Sequence, residues 1–253
     1  MSGHSKWATI KHKKGLIDAK RGKVFSKMAK ELMLVAKQGG GIMETNPSLR
    51  ALVARCKAIS MPNENIDRAI KKGTGELVGE IMEEITYEGF ADGGVGLIVH
   101  VLTDNKNRAA AEIRFIFSRH GSSFASQGSV SRGFKRRGQI LVPSAGVNED
   151  KLMDIVLDAG ADDMVNDGEQ FEILTDPAML TKVQEAIEKA EIKLEQAEVK
   201  MIPDTYVPIA EKSVAKSVMR FVDALEEHDD VQDVFTNMDM DDSVLAAIEQ
   251  ESA

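Results

Sequence analysis

The stretch QILVPSAGVNEDKLMDIVLDAGADDMVNDGEQFEILTD, residues 139–176, decides the fold class of the second half of the chain. Apolar residues first run together, then recur at helical spacing, and then run together twice more. This pattern predicts a strand at 139–142, a helix at 148–157 and strands at 163–165 and 170–174.

A helix at 177–190 and a strand at 194–201 follow, and the order βαββαβ is typical of a ferredoxin-like domain. Strand patterns before it, from Ile85 to Leu102 with a hairpin signal at 92–94, lead into a helix that we expect Asn107 to cap. A short strand is expected at 130–134. A helix at 212–225 and a strand at 231–235 then complete the sheet begun at Ile85, so the ferredoxin-like unit is predicted to be an insertion.

The first part of the chain is predicted to be helical. Phe25, Met28 and Leu32 belong to one apolar stripe, which ends at the glycines 39–41. Asn46 and Pro47 open a second helix, and Pro62 opens a third. Three short amphipathic helices make a small bundle.

The predicted fold class is therefore α+β, with an N-terminal helical bundle followed by two α/β domains. We expect the ten acids and the lack of Lys and Arg from Glu226 onward to leave that end frayed. The expected parts are a basic helical domain with a flexible N-terminal arm at 1–79, an α/β domain at 80–137 plus 208–238, an inserted ferredoxin-like domain at 138–207 and an acidic tail at 239–253.

Charge is distributed unevenly along the chain. The net charge is −9, yet residues 1–75 hold 16 Lys and Arg against 5 Asp and Glu, while residues 76–253 hold 16 against 36. A basic segment followed by acidic domains indicates a polyanionic binding partner.

The sequence lacks a stretch of about 18 apolar residues and a secretion signal, and Cys56 is its lone cysteine. We therefore expect a cytoplasmic protein that does not enter a membrane.

Lysines of the arm and first helix are the strongest functional feature. Lys20, Lys23, Lys27 and Lys30 lie three or four residues apart, so they share one helix face of about 15 Å and can pair with successive phosphates. Trp7 can stack on an exposed base. The alternative is a solvated helix face and a disordered tail. The predicted nucleic-acid contacts here are Lys6, Trp7, Lys11, Lys13, Lys14, Lys20, Arg21, Lys23, Lys27 and Lys30.

A second basic cluster is divided in the sequence. Lys106 and Arg108 lie at a strand-to-helix junction, where free helix N–H groups favour an anion. Arg132, Lys135 and Arg136 follow a Gly/Ser-rich loop. Two interpretations stay open: an extension of the basic surface if the two halves meet, or a helix cap and a charged domain junction.

Signals for catalysis are poor. The histidines at 4, 12, 100 and 120 lack the spacing of a metal site, and Cys56 falls on a buried stripe, as an inert core thiol does. No phosphate-binding glycine loop is present in the required form. We therefore expect no enzyme activity, no catalytic residue, no metal and no cofactor.

Several motifs carry a family resemblance. They are GHSKW at 3–7, KRGK at 20–23 with Phe25 and Lys27 after it, TDNKNR at 103–108, and GSV at 128–130 followed by Phe134. Together they resemble the YebC/PmpR family, which includes a mitochondrial translational activator of cytochrome oxidase. The resemblance implies a helical N-terminal domain and two α/β domains, one inserted in the other. It also assigns nucleic-acid binding to the basic residues of these motifs.

Two functions follow from the resemblance, and the residues do not choose between them. The first is a DNA-binding transcriptional regulator, which the family's usual description favours. The alternative is a ribosome-associated translation factor that binds ribosomal RNA and relieves stalling at proline-rich sequences. No helix-turn-helix with base-reading side chains is evident, so weak or shape-based specificity is expected. The acidic domains either orient the basic module by repulsion or bind a protein partner.

Overall fold

The computed structural model describes residues 21–250, and it begins with the predicted three-helix bundle: α1 (Arg21–Gly39), α2 (Pro47–Ala58) and α3 (Asn63–Thr74). Asn46 caps α2 as predicted, its side chain accepting the Leu49 N–H at 3.0 Å, with Pro47 in the first position. The predicted contacts from Lys6 to Lys20 lie outside the described residues.

Apolar side chains of all three helices fill the bundle core, and Leu32, Leu49 and Cys56 are completely buried there. Burial also raises the pKa of the Cys56 thiol, which fits the predicted inert core position. The backbones of α1 and α3 approach closely at Gly73, where a Cβ would lie 2.4 Å from the Met33 carbonyl oxygen. Glycine is therefore needed at this crossing.

The middle part of the chain starts with a hairpin. A tight turn at Asp92–Gly94 joins its two antiparallel strands, with Gly93 and Gly94 at positive φ, as predicted. The elements in order are β1 (Glu83–Phe90), β2 (Gly96–Thr103), α4 (Lys106–Arg119) and β3 (Ser123–Ala125).

The inserted unit has the predicted βαββαβ order. All neighbouring strands are antiparallel. The second strand of the unit pairs with the third, the third with the first and the first with the fourth, which is the ferredoxin-like order. Its elements are β4 (Phe134–Pro143), α5 (Glu149–Ala159), β5 (Ala161–Asn166), β6 (Gln170–Thr175), α6 (Leu180–Lys189) and β7 (Gln196–Pro203).

The chain then returns to the middle sheet through a helix, α7 (Lys212–Glu226), and a strand, β9 (Val231–Thr236). The sheet order is β3-β1-β2-β9, and the predicted completion of this sheet is confirmed. Helices α4 and α7 cover one face of it over a core that includes Val99, Phe117 and Phe221. The returning elements are β8 (Val207–Ile209), α7 (Lys212–Glu226), β9 (Val231–Thr236), β10 (Met238–Met240) and α8 (Asp242–Gln250).

The expectation of a frayed acidic end is wrong for residues 226–250. Met240, Val244, Leu245 and Ile248 are buried in the core of the middle domain, because α8 turns an apolar face onto α7. Acids are frequent in this segment, but the apolar residues of α8 fall on one side of the helix.

Two local predictions are also corrected. The helix cap is Asn105 rather than Asn107, since the Asn105 side chain accepts the Arg108 N–H at 3.1 Å. Residues 130–134 form a 3₁₀ turn at Ser131–Gly133 that leads into β4, rather than a strand.

Within residues 21–250, no helix combines the length and apolar character that crossing a bilayer requires.

Candidate nucleic-acid interface

Lys23, Lys27 and Lys30 of α1 face the middle domain. Their ammonium groups lie against the C-terminal end of α7, where carbonyl oxygens without helical partners attract cations. The contacts are Lys23 Nζ to the carbonyl oxygen of Glu227 at 2.9 Å, Lys27 Nζ to that of Glu226 at 2.9 Å and Lys30 Nζ to that of Asp229 at 3.0 Å. These three lysines of the predicted stripe therefore anchor the helical bundle to the middle domain.

Asp230 is the centre of this anchor and is only 3% exposed. Its carboxylate pairs with Lys30 from α1, accepts a hydrogen bond from Arg108 Nη2 at 2.9 Å and accepts another from Thr103 Oγ1 at 2.8 Å. Burial alone would raise the pKa of Asp230, but these hydrogen bonds outweigh it and lower the pKa to about 2. One carboxylate thus joins α1, β2 and α4.

The cations of the 103–108 motif also pair with other acids of the middle domain. Arg108 bonds to Asp104 at 2.7 Å, and Lys106 pairs with Glu83 at 2.9 Å. The hydrogen bonds to Asp230 and Asp104 raise the pKa of Arg108. This first half of the second basic cluster is therefore engaged by acids of the protein itself, as in the interpretation of a helix cap and a charged junction.

An acid titration should show the contribution of Asp230. Its pKa in the folded state lies below the ordinary value of 3.8, so its stabilisation is present above about pH 4 and is lost as the pH falls towards 2. We expect the difference in unfolding free energy between wild type and Asp230→Asn to shrink over this range. Urea titrations at pH 7, 4 and 3 measure it. A difference that stays constant would contradict the ion-pair role.

The other half of the cluster follows the Gly/Ser-rich loop. Lys135 pairs with Asp204 at 2.7 Å, whereas Arg132 and Arg136 are exposed and form no ion pair with any residue between 21 and 250. Of the predicted contacts whose side chains the structure describes, these two arginines are the ones left open to a ligand. The side chain of Arg21 is outside that description.

Glu88 holds the loop that carries Arg132. Its carboxylate is 2% exposed and accepts the N–H groups of Gly128 at 2.8 Å, Val130 at 2.7 Å and Ser131 at 3.0 Å. The Ser131 hydroxyl donates a fourth bond at 2.8 Å. Burial raises the pKa of Glu88, but the hydrogen bonds more than offset it, so the pKa is lowered. Its charge is therefore retained inside the protein.

The two halves of the second cluster do not meet. Lys106 contacts Glu83 at the start of β1, while Gly128 contacts Glu88 five residues further along the same strand, about 17 Å at 3.4 Å per residue. A continuous basic surface through both halves is therefore not formed.

Glu112, His228 and Asp230 bring possible ligand atoms within 4.8 Å of one another. The Asp230 N–H donates to His228 Nδ1 at 3.1 Å, so the ring proton is on Nε2, which lies 2.8 Å from Glu112. The Asp230 carboxylate already faces the cationic groups of Lys30 and Arg108. Two cations beside this carboxylate would repel a metal ion. We therefore assign the three residues to the contact between α1 and the middle domain.

Sequence reasoning missed the acceptors of these networks. Asp230 and Lys30 are 200 positions apart, and His228 and Glu112 are 116 apart, so no local spacing connects them. The signal that did exist was the resemblance motif at 103–108, which holds both Thr103 and Arg108. No sequence motif distinguishes Glu88 from the other glutamates of β1.

Comparisons with known proteins agree with this architecture. Residues 5–76 match the TACO1/YebC protein N-terminal domain, and residues 82–238 match the TACO1/YebC second and third domain. A conserved hypothetical protein, Aq1575, from Aquifex aeolicus has a crystal structure with a TM-score of 0.80 and 42% identity, over 89% of this chain and 93% of that one.

Curated relatives cover essentially the whole chain. A protein of Syntrophobacter fumaroxidans is 50% identical over 98% of this chain and 100% of its own length, and one of Chlorobaculum tepidum is 50% identical over 99% and 100%. Both are named "Probable transcriptional regulatory protein". With both family models matching and identities of this size, the chain belongs to the TACO1/YebC family.

Proposed function

We propose that the protein is a nucleic-acid-binding regulator of gene expression that acts in the cytoplasm by binding rather than by catalysis, with DNA as its target in transcription control. The observation that carries the proposal is the basic excess of residues 1–75 in an otherwise acidic chain. The names of the relatives support the regulatory role.

Docking of α1 leaves other cations of the bundle exposed. They form no ion pair with another residue in the described range, so phosphates can reach them. These residues are Lys37, Arg50, Lys57, Arg68 and Lys71. We propose that they, together with Arg132, Arg136 and the lysines of the arm, form the phosphate-binding surface, while Lys23, Lys27 and Lys30 hold the bundle in place.

A translation factor that binds ribosomal RNA is the second candidate. Helix α3 follows α2 as a recognition helix would, but Glu64 and Asp67 lie exposed on it beside Arg68. Carboxylates at these positions would meet the phosphates that line a major groove. Irregular RNA does not require a helix to enter a groove, so these acids favour RNA over duplex DNA.

Ultraviolet crosslinking in growing cells, followed by sequencing of the attached nucleic acid, tests the two candidates. Recovery of promoter DNA with little ribosomal RNA supports direct transcriptional control. Recovery of ribosomal RNA replaces it with the translation role. If neither is enriched over an untagged strain, nucleic-acid binding itself is contradicted.

Affinity for nucleic acid should fall steeply with salt. A surface that neutralises 6–10 phosphates loses about 10³–10⁵ in affinity between 50 and 200 mM salt. Fluorescence anisotropy with a labelled oligonucleotide at four salt concentrations gives the slope. The variant Lys57→Glu/Lys71→Glu should flatten it, whereas Lys182→Glu, an exposed lysine of the inserted domain, should not.

A further inference from the structure

An exposed aromatic ring flanked by arginines lies on the outer face of α4. Phe115 is 64% exposed, although its neighbour Phe117 on the inner face is 1% exposed and packs in the core. Arg114 precedes Phe115, and Arg119 lies one helical turn after it. A single exposed apolar side chain would need no explanation, but here one exposed arginine precedes it on the helix and another follows it by one turn.

A second exposed ring lies next to Arg114, at the edge of the sheet. Phe124, in β3, is 36% exposed, and the Arg114 guanidinium carbon lies 5.5 Å from the centre of its ring. Phe117 and Tyr87 contact the Phe124 ring with centroid distances of 5.0 and 5.5 Å. The ring is therefore held in place before any ligand arrives, and β3 is the edge strand of its sheet.

Charge at this end of α4 is positive despite the acidic domain around it. Arg119 and Arg220 are exposed and have no ion-pair partner in the described chain. Helices α4 and α7 run antiparallel, since Glu112 meets His228 and His120 stacks on Phe221 at 5.3 Å. The acids at the end of α7 are therefore at the opposite end of this pair.

We propose that Phe115, Phe124, Arg114 and Arg119 form a site for unpaired nucleotides, in which a base stacks on Phe115 and the arginines contact the adjoining phosphates. Proteins that bind single-stranded nucleic acids use exposed aromatic rings to stack on the bases and nearby arginines to contact the backbone. This site presupposes the proposed nucleic-acid binding and adds a ligand class to it: a single strand or loop, bound on the middle domain away from the anchored lysines.

The test compares variants of the full chain in binding a labelled 12-nucleotide single strand, as RNA and as DNA, and a duplex of the same sequence. We expect Phe115→Ala to weaken single-strand binding about tenfold and to leave duplex binding unchanged. Phe115→Trp should restore binding, and Arg119→Glu should weaken it. Matched controls are Leu157→Ala, which is 49% exposed on α5, and Lys151→Glu.

The outcomes separate this site from the proposed function. If wild type binds and Phe115→Ala binds equally well, the site is overturned while nucleic-acid binding stands, and the ring is then a protein contact or an unused surface residue. If Phe115→Trp binds as weakly as Phe115→Ala, stacking is overturned. If wild type binds none of the probes, both proposals fail. Crosslinking of 4-thiouridine RNA to the peptide that contains Phe115 would directly support the site.

Discussion

Asp230→Asn is expected to destabilise the protein by about 3 kcal/mol at pH 7, and to lower its Tm by roughly 6–12 °C. The substitution keeps the shape of the side chain but leaves Lys30 and Arg108 beside a neutral amide, one of whose atoms is itself a donor. Lys30 is the more affected of the two, because only 17% of its side chain is exposed and it has little water to replace the lost charge.

The matched control is Asp229→Asn. Asp229 is exposed and contributes its main-chain carbonyl to Lys30, so removing its side-chain charge should change the Tm by about 1–2 °C at most. Hydrogen exchange should locate the effect of Asp230→Asn in α1 and at the start of α4. Equal Tm values for the two variants would show that the anchor contributes no more than a surface charge.

The anchor changes how nucleic-acid binding must be tested. From the sequence, replacing Lys23, Lys27 and Lys30 by Glu should abolish binding and leave the fold intact. The structure contradicts the second part, because the same side chains hold α7 and Asp230, and three carboxylates there would repel the acids of residues 226–230. Loss of binding in that variant would not separate a phosphate contact from a displaced domain.

Local patterns were sufficient for the secondary structure of the helical bundle and of the inserted domain. The stripe that contains Leu32, the cap at Asn46 and the strand-helix alternation of 139–201 each lie within a few residues, so the bundle and the inserted domain could be predicted. The end of the chain was misjudged because net charge was weighed above spacing: Val244, Leu245 and Ile248 follow a helical period that the acids around them obscure.

The candidate site was less predictable, for a physical reason. A lysine on a helix face has the same local sequence whether it meets a phosphate or a carbonyl group of a distant helix. Only the tertiary structure supplies the partner, and Lys23 finds it 204 positions away. The exposure of Phe115 is likewise set by the packing of Phe117, two residues along the same helix, against α7.

Glu88→Gln is expected to cost about 3 kcal/mol and to loosen residues 126–133. The buried carboxylate accepts four hydrogen bonds, three of them from main-chain N–H groups, and the N–H of Val130 is itself buried. An amide has one oxygen, so its NH₂ group must face at least one of these donors, and a buried donor left without an acceptor costs about 1–3 kcal/mol in addition to the lost charge.

Glu84→Gln is the matched control, since Glu84 is exposed on the same strand and should change stability by less than about 0.5 kcal/mol. Urea denaturation and hydrogen exchange of the N–H groups of Gly128, Val130 and Ser131 measure the difference between the two variants. Faster exchange at these three positions, together with weaker nucleic-acid binding, would mean that Glu88 presents Arg132 to its ligand. Unchanged exchange would mean that the loop is held by its own turns, because Gly128 at φ +85° and the 3₁₀ turn at Ser131–Gly133 would then suffice.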